Sequence, residues 1–189
     1  MLRSRTRALA LASTVLALAL AAPAGTAANA APTAPQARAA GGRVTLVFDK
    51  NPKNPTYSKL TAYLGKRVLG QWRAGSGTTT NPCQVGKGRS GGWLPNGTYA
   101  IPFRTKTHNG KAIKGYAIRL ADKKCKGDRG ANRDELFIHS RMTVNGASQW
   151  RGDRDYKSLG CVKLRPDHIK ALFKTLDTYG EAKTLKVVA

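Results

Sequence analysis

Acidic residues are scarce in this chain of 189 residues. Ten Asp and Glu stand against 33 Lys and Arg, a formal net charge of +23. Cysteine is scarce too. Three residues cannot form the dense disulfide framework that replaces a core in small secreted domains. Beyond the N-terminal leader, no stretch approaches the ~20 apolar residues of a membrane span. No internal repeat is visible, and no zinc-finger, basic-zipper or aromatic RNA-binding signature accompanies the charge. A large multidomain machine and a polytopic membrane protein are thereby excluded. The hydrophobic share of 41% against 23% charged residues also excludes a disordered polycation. One ordinary domain with a real core fits this length.

The first residues read differently from the rest. Arg3, Arg5 and Arg7 precede an uncharged apolar run at 8–22, and Ala28-Asn29-Ala30 fits a small-residue cleavage site. Residues 1–30 are expected to be a secretory signal peptide. An anchor helix is the alternative, but Pro23 and Gly25 end the run early. The arginines are not paired, which favours the general secretion route over twin-arginine export. No cysteine near the cleavage region suggests lipidation. Removal of residues 1–30 takes three Arg and no acid, leaving 159 residues at +20. Residues 31–42 (APTAPQARAAGG) read as a flexible tether, and 43–189 as the functional domain.

The domain is predicted to be mainly β, a sandwich or partial barrel with one late helix packed on the sheet. Arg43–Asp49 alternates, with Val44, Leu46 and Phe48 on one face. Tyr57–Leu64 and Arg67–Trp72 flank Gly65-Lys66 as a hairpin. Residues 74–97 are rich in turn formers and read as a long loop. Strand signals return at Thr98–Phe103, Ala112–Leu120, Glu135–His139 and Lys183–Val188. Pro166 and Asp167 suit the start of a helix, in which Ile169, Leu172, Phe173 and Leu176 follow helical spacing until Gly180.

Two residues carry candidate chemistry. Cys161 lies in Ser158-Leu159-Gly160-Cys161-Val162-Lys163-Leu164, and His139 ends the segment Leu136-Phe137-Ile138. A cysteine nucleophile needs a base, and His is the usual partner. Gly160 permits close approach of a carbonyl, and the Gly160 and Cys161 N–H groups are candidate oxyanion donors. On the residues alone, Cys161 reads equally as a small buried apolar residue, and His139 as a core histidine satisfied by the backbone.

At these positions the sequence resembles the L,D-transpeptidase (YkuD-type) catalytic domain. The resemblance rests on Ile138-His139-Ser140, on Ser158-x-Gly160-Cys161-Val162-Lys163 and on the helix opening at Pro166-Asp167. Upstream, Trp72–Gly77 and Trp93–Tyr99 extend it over roughly residues 43–188. The resemblance implies Cys161 as nucleophile, His139 as base, and the Ser140 carbonyl holding the imidazole tautomer. It implies the Gly160 and Cys161 N–H groups as oxyanion hole, and Ser158 bracing the loop. The substrates it implies are peptidoglycan stem peptides, which lose a terminal D-Ala as a Cys thioester forms. It implies neither metal nor organic cofactor. Lys163 stands where the family carries Arg, which keeps the charge without the bidentate fork, and Ser140 stands at a frequent Gly. Both Ser158 and Lys163 are candidate substrate-binding positions. The polar segment 141–157 reads as a lid or substrate wall, with Trp150 and Tyr156 as contacts, or as a loop that these rings merely pack.

With Cys161 assigned, Cys83 and Cys125 remain as a natural disulfide pair in an exported protein; two free thiols are the alternative. His108 and His168 lack metal-ligand spacing. The net charge suits anionic cell-wall polymers better than nucleic acid once the leader is considered, or serves only as a solvated surface. A monomer, secreted or wall-associated and without membrane contact after cleavage, is expected. Two alternatives to transpeptidation stand: an L,D-carboxypeptidase or endopeptidase using the same chemistry, and a non-catalytic cationic wall-binding protein.

Overall fold

The computed structural model describes residues 42–84, 91–124 and 132–189. The expected leader, the tether other than Gly42, and Cys125 lie outside the described residues. Strand β1 (Val44–Asp49) buries Val44, Leu46 and Phe48, as its alternation predicts. Strands β2 (Ser58–Leu64) and β3 (Arg67–Ser76) form the predicted hairpin, with Gly65 at φ 60 in its turn. β3 continues past Trp72 into the segment expected as loop. Its last residues, Ala74, Gly75 and Ser76, are buried. They carry little intrinsic β preference; pairing with a distant strand holds them extended.

Strands β4 (Gly97–Ala100), β5 (Arg104–Asn109) and β6 (Lys114–Arg119) follow, then the two-residue pair β7 (Lys123–Lys124) and β8 (Asn132–Arg133). β5 was not expected. It is an edge strand with no buried residue, so its sequence carries no apolar alternation. The chain then forms β9 (Phe137–His139), β10 (Val162–Lys163), α1 (Pro166–Tyr179) and β11 (Thr184–Val188).

Nine strands make one mixed sheet in the order β4-β11-β1-β2-β3-β10-β9-β6-β5. Only β1–β11 and β9–β10 are parallel. The sheet ends at β4 and β5 and does not close into a barrel. The expected helix is present. Pro166 opens it, Asp167 sits in its first turn, and Gly180 at φ 107 ends it. Ile169, Leu172, Phe173 and Leu176 enter the core shared with β1, β9 and β11. Each such buried side chain contributes about 1.5–3 kcal/mol. Tyr116 of β6 meets Phe173 edge to face at 4.8 Å, which ties the helix to the half of the sheet that carries β9. Among the described residues, no helix is long and apolar enough to cross a membrane.

Candidate active site

Two short parallel strands inside the sheet bring the predicted pair together. In the β9–β10 register, Val162 lies beside Ile138 and Lys163 beside His139. Side chains alternate between faces along a strand. Val162 and Ile138 point into the core and are fully buried. Lys163 and His139, with Cys161 two residues before Lys163, therefore share the opposite face. All three line one cavity of about 360 Å³.

His139 is buried, and its Nδ1 lies 2.9 Å from the Ser140 carbonyl oxygen. A carbonyl only accepts, so Nδ1 carries the proton and Nε2 is left as the basic nitrogen. Burial holds the imidazole well below its usual pKa, and the Lys163 charge adds to this. The Ser140 carbonyl pulls the other way, and His108 lowers the pKa further. Burial also pushes the half-buried Cys161 thiol above its ordinary 9.0. A backbone hydrogen bond from Phe137 and the charges of Lys163, Arg133 and Arg119 oppose that rise without cancelling it. At neutral pH the resting pair is thus a thiol and a neutral imidazole. The Cys161 Sγ–H donates to the Glu135 carbonyl at 3.6 Å. Glu135 is the one non-glycine residue with positive φ (48) among the described residues. Such a conformation costs on the order of 1–3 kcal/mol, and here it belongs to the residue whose carbonyl meets the thiol.

The nucleophile loop is braced from beneath. Ser158 Oγ accepts from the N–H groups of Gly77 (2.9 Å) and Gly160 (3.1 Å) and donates to the Cys161 carbonyl (2.6 Å). Ser76 Oγ donates to the Gly160 carbonyl and accepts from the Leu94 N–H, both at 3.0 Å. Gly160 itself sits at φ 132, and a β-carbon there would stand 2.0 Å from an Arg133 nitrogen. Glycine is required on both counts. The two expected oxyanion donors differ in this structure. The Gly160 N–H donates to Ser158 Oγ, with Gly160 at φ 132. The Cys161 N–H donates to no acceptor among the described residues.

Arg133 went unnoticed as a site residue in the sequence. Its side chain is buried, yet its hydrogen-bond partners among the described residues are carbonyls: Pro82 (2.6 Å), Gln84 (3.1 Å), Gly92 (3.0 Å) and Leu159 (2.9 Å). One guanidinium thus joins Pro82, Gln84 and Gly92 to the residue two before the nucleophile. Nothing local distinguishes this arginine from its basic neighbours, so no sequence signal reveals it. Ser76 was hidden in the same way, inside a run of turn formers.

Trp150 and Tyr156 are not part of this cavity. They pack edge to face at 4.8 Å and line a separate hollow of about 710 Å³, with Arg73, Asp153, Arg165 and His168. The 3-10 turn Asp153–Tyr156 tucks the Tyr156 ring under β3. There the Arg73 guanidinium lies 4.1 Å from the ring centre, and a β-carbon on Gly75 would strike the Tyr156 carbonyl at 2.5 Å. Tyr156 is therefore a packing residue rather than a contact of the Cys161 cavity. Ser158 acts on the loop backbone, while Lys163 does face the cavity. No cluster of three or more potential metal ligands occurs among the described residues. Cys161 is the one free cysteine among them.

The model of the YkuD family, L,D-transpeptidase catalytic domain, matches residues 54–188. The chain belongs to this family. Among solved structures, it is similar to an L,D-transpeptidase from Mycobacterium smegmatis at 17% identity and TM-score 0.47, over 79% of this chain and 60% of that one. It is also similar to Bd1075 of Bdellovibrio bacteriovorus at 14% identity and TM-score 0.47, over 78% of this chain and 48% of that one. The catalytic domain of the E. faecium L,D-transpeptidase matches at 14% identity and TM-score 0.41, over 76% of this chain and 96% of that domain. The chain thus spans about half to three-fifths of the first two structures. Comparison with curated proteins returns no significant match.

Proposed function

We propose that this chain is an exported cysteine acyltransferase acting on peptidoglycan stem peptides. The observation that carries this reading is the parallel β9–β10 register, with Cys161 and His139 on one face of one cavity. The neutral resting pair fits a reaction in which proton transfer accompanies attack. Cys161 Sγ bonds to the stem carbonyl carbon as its proton passes to His139 Nε2. The Cys161 N–H stabilises the oxyanion. The tetrahedral intermediate collapses to a thioester, and the departing D-Ala amine takes the proton from His139. An amine of a second stem, or water, then displaces the thiol by the reverse proton route. The Ser140 carbonyl keeps the Nδ1–H tautomer throughout.

Residues 1–30 act as the signal peptide in this reading. Cys83 and Cys125 pair as a disulfide, which keeps Cys161 the free nucleophile. The protein works outside the cell as a monomer, held near anionic wall polymers by its charge. Mass spectrometry of a disaccharide tetrapeptide incubated with wild type and Cys161→Ala tests the function. A cross-linked dimer from wild type alone is expected; a tripeptide without dimer means hydrolysis instead. If both proteins leave the peptide intact while binding it, the chain is a non-catalytic wall-binding protein.

A further inference from the structure

A larger cavity, of about 800 Å³, adjoins the catalytic one; Ala112 and Lys163 line both. Its size falls in the range of ligand sites. Its lining includes Lys111, Lys114, Arg141 and Lys163, and no Asp or Glu. Arg141 is engaged by Asp155 at 2.9 Å. The three lysines form no ion pair among the described residues. Lys163 is half-buried at the boundary of the two cavities, and that burial disfavours its charge. Ser140 is buried and lines the same cavity, and its Oγ has no hydrogen-bond partner among the described residues. The hairpin that carries Lys111 and Lys114 is held in place. The Gly110 N–H donates to the Ile113 carbonyl at 2.9 Å. At Gly115 (φ 80) the backbone passes so close to Thr143 that a β-carbon would lie 2.6 Å from its carbonyl oxygen.

Four cations against the single nearby carboxylate of Asp155, which Arg141 already engages, form with an unsatisfied hydroxyl donor a field that an anion relieves. We infer that this cavity binds a free carboxylate of a peptide, with Lys111, Lys114 and Lys163 as its cationic wall and Ser140 Oγ as a donor. The inference rests on the acyl-transfer reading for the peptide's identity, and it makes the site selective for acidic over amidated stems. Lys111 and Lys114 are then specificity-determining residues, and the chemistry stays with Cys161 and His139. The carboxylate belongs either to the acyl donor or to the peptide that supplies the accepting amine.

The test is equilibrium binding of two synthetic stem tetrapeptides to the Cys161→Ala protein, one with free carboxylates and one fully amidated. The same pair is measured on Cys161→Ala carrying Lys111→Gln and Lys114→Gln. The acid is expected to bind about tenfold more tightly than the amide, the effect of two exposed ion pairs at moderate salt. That ratio is expected to fall toward one in the lysine variant. Equal affinity for acid and amide, an unchanged ratio in the variant, or no binding of either peptide would overturn the inference. Wild-type turnover, with acid and amide offered in turn as donor and as acceptor, identifies the source of the carboxylate. A binding ratio that follows the lysines without any turnover would refute the acyl-transfer reading and leave the carboxylate site standing.

Discussion

The segment 150–156 and the nucleophile loop 158–164 are neighbours in sequence but are held by different forces. The nucleophile loop rests on buried and half-buried hydrogen bonds: the Ser158 and Ser76 hydroxyls and the Arg133 guanidinium, all directed at backbone groups. The 150–156 segment is held by edge-to-face ring packing and by carboxylate ion pairs, Arg73–Asp153 open to water at 3.1 Å and Arg141–Asp155 half-buried at 2.9 Å. Exposed pairs exchange one set of hydrogen bonds for another at little net gain, whereas a buried donor stripped of its acceptors bears the whole desolvation cost. A loop that must keep a thiol and an oxyanion donor in register needs the second kind of support. Aromatic content is thus a poor guide to chemistry here, and buried hydrogen bonds to backbone are the better one.

The largest break in this contrast is expected at Arg133. Arg133→Met removes the guanidinium that four carbonyls share, of which Gln84 keeps the Gly92 N–H, and should cost about 3 kcal/mol, read as a fall in the denaturation midpoint. Acyl transfer should be lost with it. Ser158→Ala removes three hydrogen bonds from the loop and should cost about 1–2 kcal/mol, with a larger loss in kcat than in KM. Wild-type kcat in this variant would mean that the hydroxyl does not position Cys161.

His139 tests the same burial by titration. Its folded pKa lies below the ordinary 6.5, so between the two values the unfolded chain binds the proton and the folded one does not. The stability associated with His139 is therefore complete above about pH 6.5 and declines as pH falls toward the folded pKa. Thermal melts from pH 7.5 to 5 should fall more steeply for wild type than for His139→Gln. Parallel slopes would contradict a buried neutral imidazole. The smallest effect is expected in the other region. Trp150→Ala should leave turnover within about twofold, as for a residue outside the reacting cavity. A tenfold loss would return the 150–156 segment to the substrate path.

Much of the site was legible because its signals are local. His139 and Cys161 sit in short motifs, and Val162 and Ile138 announce by their apolarity which face the reactive pair must occupy. The helix from Pro166 to Tyr179 declared itself by spacing and end residues. What stayed hidden depends on partners remote in the chain. Arg133 is recognisable only through carbonyls 26 to 51 residues away. β5 is an edge strand without apolar alternation. Lys111 and Lys114 look like solvated charge until the hairpin sets them over a cavity. The bond from the Gly160 N–H to Ser158 Oγ was also hidden, because sequence names a glycine without giving the direction of its N–H.

The central claim is that Cys161 carries the acyl group with His139 as its base. Intact-protein mass spectrometry after rapid acid quench, with a stem tetrapeptide as sole substrate, tests it most directly. The account predicts a thioester adduct on Cys161 equal in mass to the tripeptide less water, with D-Ala released. The adduct should be absent from Cys161→Ala and strongly diminished in His139→Ala. D-Ala release by Cys161→Ala at the wild-type rate, or an adduct on another residue, would contradict the account.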